Sequence, residues 1–89
     1  MTTIIYTGSW MPIQQAIGGQ MKTNLRRFRF DRGELSQQQL ADMVSVSRQT
    51  IISIERGDYA PSVKLALLLA AKLETTVEQL FQLEEKDYA

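Results

Sequence analysis

Near the middle of the chain, one short predicted helix carries four polar side chains that can form hydrogen bonds outward: Arg48, Gln49, Thr50 and Ser53. Ser47 precedes them as a helix cap, and Ile51 and Ile54 lie three residues apart on the opposite, apolar face. Guanidinium, carboxamide and hydroxyl groups donate and accept hydrogen bonds, but they need an activating partner before they catalyse. The pattern therefore predicts recognition rather than catalysis.

The composition removes the partners that catalysis would need. The 89 residues include no cysteine and no histidine. Disulfides, zinc sites with thiolate or imidazole ligands, cysteine nucleophiles and histidine-assisted serines are therefore excluded. An enzyme would depend on carboxylates, and none forms a convincing pair by spacing among candidates such as Asp31, Glu34, Asp42, Glu55 and Glu74. We expect no catalytic residue, no metal site and no cofactor, in a protein that is not an enzyme.

Charge is unevenly distributed along a chain whose net charge is zero. Residues 1–20 carry no charge, residues 21–56 contain seven basic and four acidic side chains, and residues 57–89 contain three basic and six acidic ones. This asymmetry indicates a polarised surface, with simple scatter as the alternative. No apolar run reaches the ~18 residues of a transmembrane helix, and a signal-peptide pattern is absent. We therefore expect a cytoplasmic protein.

The first twenty residues differ from the rest and are predicted to form an N-terminal extension, Met1–Gln20. Within it, Thr3–Thr7 has the composition of a short strand. Three interpretations of the extension stay open: a dimerisation arm, a tail that binds a partner protein, or a leader without function, in which case Met21 is the natural start. The remaining chain divides into a domain of residues 21–85 and a C-terminal tail of residues 86–89.

Start signals and helical spacing predict five short helices, and hence an all-α domain. The first runs from Met21 to Arg32, with Leu25 and Phe28 on its buried face and Gly33 as its stop. Hydroxyl side chains precede the other four helices as caps: Ser36, Ser47, Ser62, and Thr75 or Thr76. In the second helix, Ser36 and Gln39 form a capping box.

Apolar residues at helical spacing are predicted to form the core. They are Leu40, Met43 and Val44 in the second helix, Ile51 and Ile54 in the third, and Val77, Leu80 and Phe81 in the last helix, VEQLFQL. The fourth helix, Val63–Leu73, is apolar on more than one side, which favours a central or partly interfacial position. A domain of about 65 residues is marginal alone, so dimerisation would add stability.

Five runs of residues carry a resemblance to a known family: LSQQQLA at 35–41, VSRQTI at 46–51, IERG at 54–57, YAPSVKLAL at 59–67 and VEQLF at 77–81. Together they make Met21–Glu85 similar to the lambda-repressor-like, Cro/C1-type (XRE) helix-turn-helix regulators, particularly the short members with one DNA-binding domain. The resemblance covers about three quarters of the chain. It implies a five-helix lambda-repressor-like fold that binds double-stranded DNA.

The resemblance also implies roles at matching positions. Ala41 is the small residue at which the second and third helices, the two helices of the motif, pack against each other. Gln37 is a phosphate-contacting glutamine. Arg29 and Glu55 match an internal ion pair, which removes both from the expected DNA contacts. The positions that would face the major groove are Arg48, Gln49, Thr50 and Ser53.

Two departures from the family pattern concern the backbone. Ser45 stands where the turn usually has glycine, so some strain at positive φ is expected. The link RGELS at 32–36 is one residue longer than the commonest form. The N-terminal extension is not explained by the family.

Hydrogen-bonding chemistry then assigns the expected contacts with DNA. Arg48 can bond guanine and Gln49 can bond adenine, each with two hydrogen bonds, while Lys22 and Arg56 are phosphate candidates through charge. We expect a homodimer, held by the last two helices or the extension, on a palindromic operator with half-sites about one helical turn (~34 Å) apart. Repression is the expected outcome. The alternative is an antitoxin-type DNA-binding protein whose segment Met1–Gln20 holds a partner protein.

Overall fold

Five short α-helices and a two-stranded antiparallel sheet make up the residues that the computed structural model describes, 21–58 and 60–88. In chain order the elements are β1 (Lys22–Thr23), α1 (Leu25–Asp31), α2 (Gln37–Met43), α3 (Arg48–Glu55), α4 (Val63–Lys72), α5 (Val77–Leu80) and β2 (Phe81–Gln82), followed by a 3₁₀ helix at Glu85–Tyr88. The predicted five-helix fold is confirmed. The predictions for Met1–Gln20, including a strand at Thr3–Thr7, lie outside the described residues.

Local sequence signals explain where the helices begin. The hydroxyl of Ser36 accepts a hydrogen bond from the Gln39 backbone N–H at 3.0 Å, and the Gln39 side chain accepts one from the Ser36 N–H at 2.7 Å, which confirms the capping box. The hydroxyls of Ser47, Ser62 and Thr76 each accept from the N–H three residues later. Such caps contribute about 1 kcal/mol each, which matters in helices too short to be stable alone.

The core lies between the helices and consists of aliphatic side chains at helical spacing. The largest fully buried ones are Leu25, Leu40, Ile51, Ile54, Leu69, Leu73 and Leu80. Met43 was predicted to be buried but is 39% exposed, because it ends α2 at the edge of the packed face while Val44 fills the core position. The longest helix of the described ranges has ten residues, and none of these helices could span a bilayer.

Both ends of the domain form strands where the sequence predicted helix. The helix predicted from Met21 begins later, because Lys22–Thr23 pairs in antiparallel register with Phe81–Gln82. The last helix, predicted to reach Leu83, ends at Leu80 for the same reason. The predicted burial of Phe81 does not show whether its backbone is helical or extended. The side chain enters the core from the strand and is only 8% exposed.

Hydrogen bonds around this strand pair connect the start of the domain to its end and to α3. The Asn24 backbone N–H donates to the Leu80 carbonyl at 2.8 Å, and the Met21 N–H donates to the Gly57 carbonyl at 3.2 Å, just after α3. Gly57 has a φ of 77°, and a Cβ atom there would lie 2.8 Å from the Met21 carbonyl oxygen. Glycine therefore permits both the turn and the close approach.

Candidate nucleic-acid interface

Helix α3 directs its polar side chains outward by burying two isoleucines. Ile51 and Ile54 are 0% and 1% exposed, as predicted. Arg48 and Gln49 are exposed at the N-terminal end of the helix. Within the described residues, no hydrogen bond or ion pair engages either side chain. The donors and acceptors of these two groups are therefore available to a ligand.

Thr50 and Ser53 are half-buried on the same helix. The Thr50 hydroxyl lies 2.9 Å from the Ser47 hydroxyl, and the Thr50 backbone N–H donates to that Ser47 oxygen at 3.1 Å. Thr50 is thus part of the cap that starts α3, which leaves its methyl group as the more available contact. Arg48 and Gln49 have longer side chains than Thr50 and Ser53, and they are more exposed.

The turn between α2 and α3 determines how the two motif helices cross. Ser45 has a φ of 60°, as expected for a residue in the place of glycine. The Val46 N–H donates to the Ala41 carbonyl at 3.0 Å, and the Ala41 side chain is fully buried. This turn therefore sets the angle at which α3 projects from the domain.

A buried ion pair joins α1 to the end of α3. Arg29 Nε donates to Glu55 Oε2 at 2.6 Å, and Arg29 Nη2 donates to Glu55 Oε1 at 3.1 Å. The two side chains are 8% and 7% exposed, and Arg29 Nη1 also donates to the Leu35 carbonyl at 2.6 Å. The ion pair implied by the family resemblance is confirmed, and its enclosure leaves neither group open to a DNA contact.

Gln37, the first residue of α2, contacts the same carboxylate. Its Nε2 donates to Glu55 Oε1 at 3.2 Å. No sequence pattern predicts this contact, because the two residues lie in different helices 18 positions apart. The Gln37 side chain also lines an open cavity of about 340 Å³ together with Arg26 and Arg56.

The exposed cations predicted to contact phosphate lie near the C-terminal end of α3. Arg56 Nε is 3.5 Å from Asp58 Oδ2, in an exposed pair. Lys22 is exposed on β1, next to the residue that bonds Gly57. Arg26 was not among the predicted site residues. Its position one helical turn before Arg29 could have indicated that the two side chains lie on the same face of α1.

Comparison with known proteins identifies the family. Residues 25–80 match the helix-turn-helix family. The chain is 40% identical over 67 residues to the uncharacterized HTH-type transcriptional regulator YgzD of Bacillus subtilis, an alignment that covers 75% of this chain and 100% of that protein. It is 44% identical over 66 residues to an uncharacterized HTH-type transcriptional regulator of Methanothermobacter thermautotrophicus, covering 73% and 94%.

Solved structures share the fold. The clp gene regulator ClgR from Corynebacterium glutamicum superposes with a TM-score of 0.57 at 29% identity, covering 73% of this chain and 64% of that one. The hypothetical transcription factor NHTF from Neisseria gives a TM-score of 0.57 at 28% identity, covering 63% and 62%. The buried ion pair and the capped motif helices agree with these matches. The chain belongs to the helix-turn-helix family of Cro/C1-type (XRE) DNA-binding transcriptional regulators.

Proposed function

We propose that the chain is a sequence-specific repressor that binds a palindromic operator as a homodimer and reads the major groove with the helix Ser47–Arg56. The observation that carries this proposal is the exposed pair Arg48 and Gln49, held outward by the buried Ile51 and Ile54. In helix-turn-helix docking, the N-terminal residues of the recognition helix contact base edges. The two side chains therefore occupy the positions from which sequence is read.

The four polar groups of α3 other than Glu55 each have a chemical match in DNA. The Arg48 guanidinium fits the O6 and N7 acceptors of guanine, and the Gln49 carboxamide fits the N6 donor and N7 acceptor of adenine. Ser53 is short and suits a base edge or a phosphate. Thr50 suits the methyl group of thymine, because its hydroxyl already pairs with Ser47.

Three side chains around α3 would bind the DNA backbone and fix the register: Gln37, Arg56 and Lys22. Contacts of this kind neutralise phosphates and make affinity fall with salt, without reading sequence. The exposed pair of Arg56 with Asp58 is weak enough for a phosphate to replace the carboxylate. Arg26 shares the cavity with Gln37 and adds a further positive charge there.

We propose an apolar surface on α4 as the homodimer interface. Val63 is 77% exposed and Leu67 is 58% exposed, one helical turn apart. With Met21, Pro61 and Phe81 they line an open cavity of about 320 Å³. Such a contiguous apolar patch is typical of an interaction site, and a two-fold axis would place it against its own copy. Two copies would then present two α3 helices to half-sites about one helical turn (~34 Å) apart.

We also infer that the chain has no enzymatic activity. Of the carboxylates that could serve acid–base chemistry, Glu55 is held by Arg29, and Glu74 accepts from Arg32 at 2.8 Å. Residues 21–58 and 60–88 contain no group of acidic side chains placed to hold a metal ion. DNA recognition needs none of this chemistry.

Selection of DNA from a random-sequence pool by the purified full chain tests the proposal. We expect an inverted repeat whose binding weakens as salt rises. Recovery of no preferred sequence, with only weak and salt-sensitive binding, would contradict sequence-specific recognition. The sign of regulation is read by placing the recovered site over a reporter promoter: production of the chain should lower expression, and a rise would contradict repression.

A further inference from the structure

The side-chain amide of Gln37 is oriented before any ligand arrives. A carboxylate only accepts hydrogen bonds, so the nitrogen of the Gln37 amide, and not its oxygen, must face Glu55. The observed contact, Nε2 to Oε1 at 3.2 Å, has this orientation. The same nitrogen carries a second N–H, which the single contact with Glu55 does not use.

Glu55 is itself held rigidly. Two bonds from Arg29 fix both carboxylate oxygens, and Arg29 is bonded in turn to the Leu35 carbonyl at 2.6 Å. A hydrogen bond to an ionised acceptor is stronger than one between neutral groups. The pair is more than nine-tenths buried, so water competes little for it. Gln37 is therefore fixed by a rigid and charged acceptor.

We propose that Glu55 and Arg29 are positioning residues that aim the Gln37 amide at a phosphate of the DNA backbone. This inference rests on the proposed function, because the phosphate belongs to the bound operator. The open cavity beside Gln37 is lined by Arg26, Arg29, Arg56 and the Glu55 carboxylate. Because Arg29 neutralises Glu55, the charges of Arg26 and Arg56 favour an anion there. A side chain already held in one orientation loses less conformational entropy when the phosphate binds.

The arrangement also ties backbone binding to base reading. Glu55 is the last residue of α3, and Gln37 is the first residue of α2. The Glu55 carboxylate on α3 holds the Gln37 amide. A phosphate bound by Gln37 is thus positioned relative to the helix that carries Arg48 and Gln49. Any shift of α3 relative to α2 would disturb the contact with the DNA backbone.

A double-mutant cycle on operator binding tests the proposal, with the operator duplex recovered by selection as the probe. Gln37→Ala is measured in the wild-type chain and in the double variant Arg29→Met/Glu55→Met, which removes both charges together and avoids leaving one buried and unpaired. We expect Gln37→Ala to weaken binding about tenfold in the wild type and less than about twofold in the double variant. An equal factor in both backgrounds would overturn the proposal.

Gln38→Ala is the matched control. Gln38 is the next glutamine on α2, and its amide donates to the exposed Asp42 at 2.9 Å rather than to the buried pair. Its effect on binding, whatever its size, should be the same in both backgrounds. Thermal unfolding followed by circular dichroism shows whether each variant is folded. If the double variant is not, Arg29→Leu/Glu55→Leu, which also removes both charges together, replaces it in the cycle.

A second readout needs no DNA. In the free wild-type chain, the side-chain NH₂ resonances of Gln37 should report a more rigid amide than those of Gln38, and Arg29→Met/Glu55→Met, which removes the acceptor, should remove the difference. Equal mobility of the two amides in the wild type would overturn the positioning role. Arg48→Ala separates the two proposals: if it weakens binding while Gln37→Ala does not, base reading stands and positioning falls. If neither matters, the proposed function itself fails.

Discussion

Ser45 is a single residue whose backbone strain can be removed without touching the core or the proposed contacts with DNA. It is exposed in the turn between α2 and α3 and has a φ of 60°. A residue with a side chain is less stable in this left-handed conformation by about 1–2 kcal/mol. Glycine removes that strain but adds about 0.4–1 kcal/mol of conformational entropy to the unfolded chain. Ser45→Gly should therefore stabilise the domain by about 0.5–1 kcal/mol.

Thermal and urea unfolding of the full chain measure this effect. For a domain of this size, the predicted gain corresponds to a rise in Tm of about 2–8 °C. Ser53→Gly makes the same chemical change inside α3, where the backbone is helical, and should instead lower stability by about 0.5 kcal/mol. If Ser45→Gly leaves the free energy of unfolding unchanged or lowers it while the urea dependence stays the same, the positive φ of Ser45 does not destabilise the domain. Because the turn angle is preserved, operator affinity should not change.

Five further substitutions test other parts of the structure. Arg48→Ala or Gln49→Ala should each cost about 1–3 kcal/mol in operator binding, measured by titration, without lowering the Tm. Lys22→Ala should weaken binding to all sequences by a similar factor and reduce the slope of log affinity against log salt by about 1. Glu55→Ala should lower the free energy of unfolding by about 3–5 kcal/mol, because it leaves a buried guanidinium unpaired. Leu67→Glu should convert dimer to monomer in sedimentation experiments by placing a charge in the apolar patch.

Matched substitutions show what would contradict two of these expectations. Glu74→Ala breaks the exposed ion pair with Arg32 and should lower the free energy of unfolding by less than about 1 kcal/mol. An equally small loss for Glu55→Ala would contradict the expectation that the buried pair matters more for stability. Leu83 is 54% exposed and does not line the cavity beside Val63 and Leu67, so Leu83→Glu should leave the dimer intact. Dissociation by Leu83→Glu but not by Leu67→Glu would move the interface elsewhere.

The parts of the fold that could be predicted are those encoded locally. A hydroxyl followed three residues later by the amide it caps is a short-range signal, and Ser36, Ser47 and Ser62 cap their helices as predicted. The spacing of Ile51 and Ile54 likewise predicts the buried face of α3 directly. By contrast, the ion pair of α1 with α3 came from the family resemblance, because no spacing rule links residues 26 positions apart.

The sequence could not predict the features that depend on distant pairing. Strand β1 has two residues, too few to show alternation, and its partner β2 lies at the other end of the domain. Phe81 fits the core equally well from a helix or a strand, so its burial was predicted correctly and its backbone was not. The Gln37 contact with Glu55 is also long-range, and glutamines are common on exposed helix surfaces. The DNA contacts of Gln37 and of α3 stay predictions.

The proposed contact of Arg48 with a guanine in the major groove can be measured by substituting single atoms of the DNA. Each guanine of the selected operator is replaced in turn by 7-deazaguanine, which lacks the N7 acceptor that arginine contacts. We predict one guanine in each half-site at which the replacement weakens binding of the wild-type chain but not of Arg48→Ala. If every replacement has the same effect on both proteins, Arg48 does not contact guanine N7 and the assignment of α3 as the reading helix is contradicted.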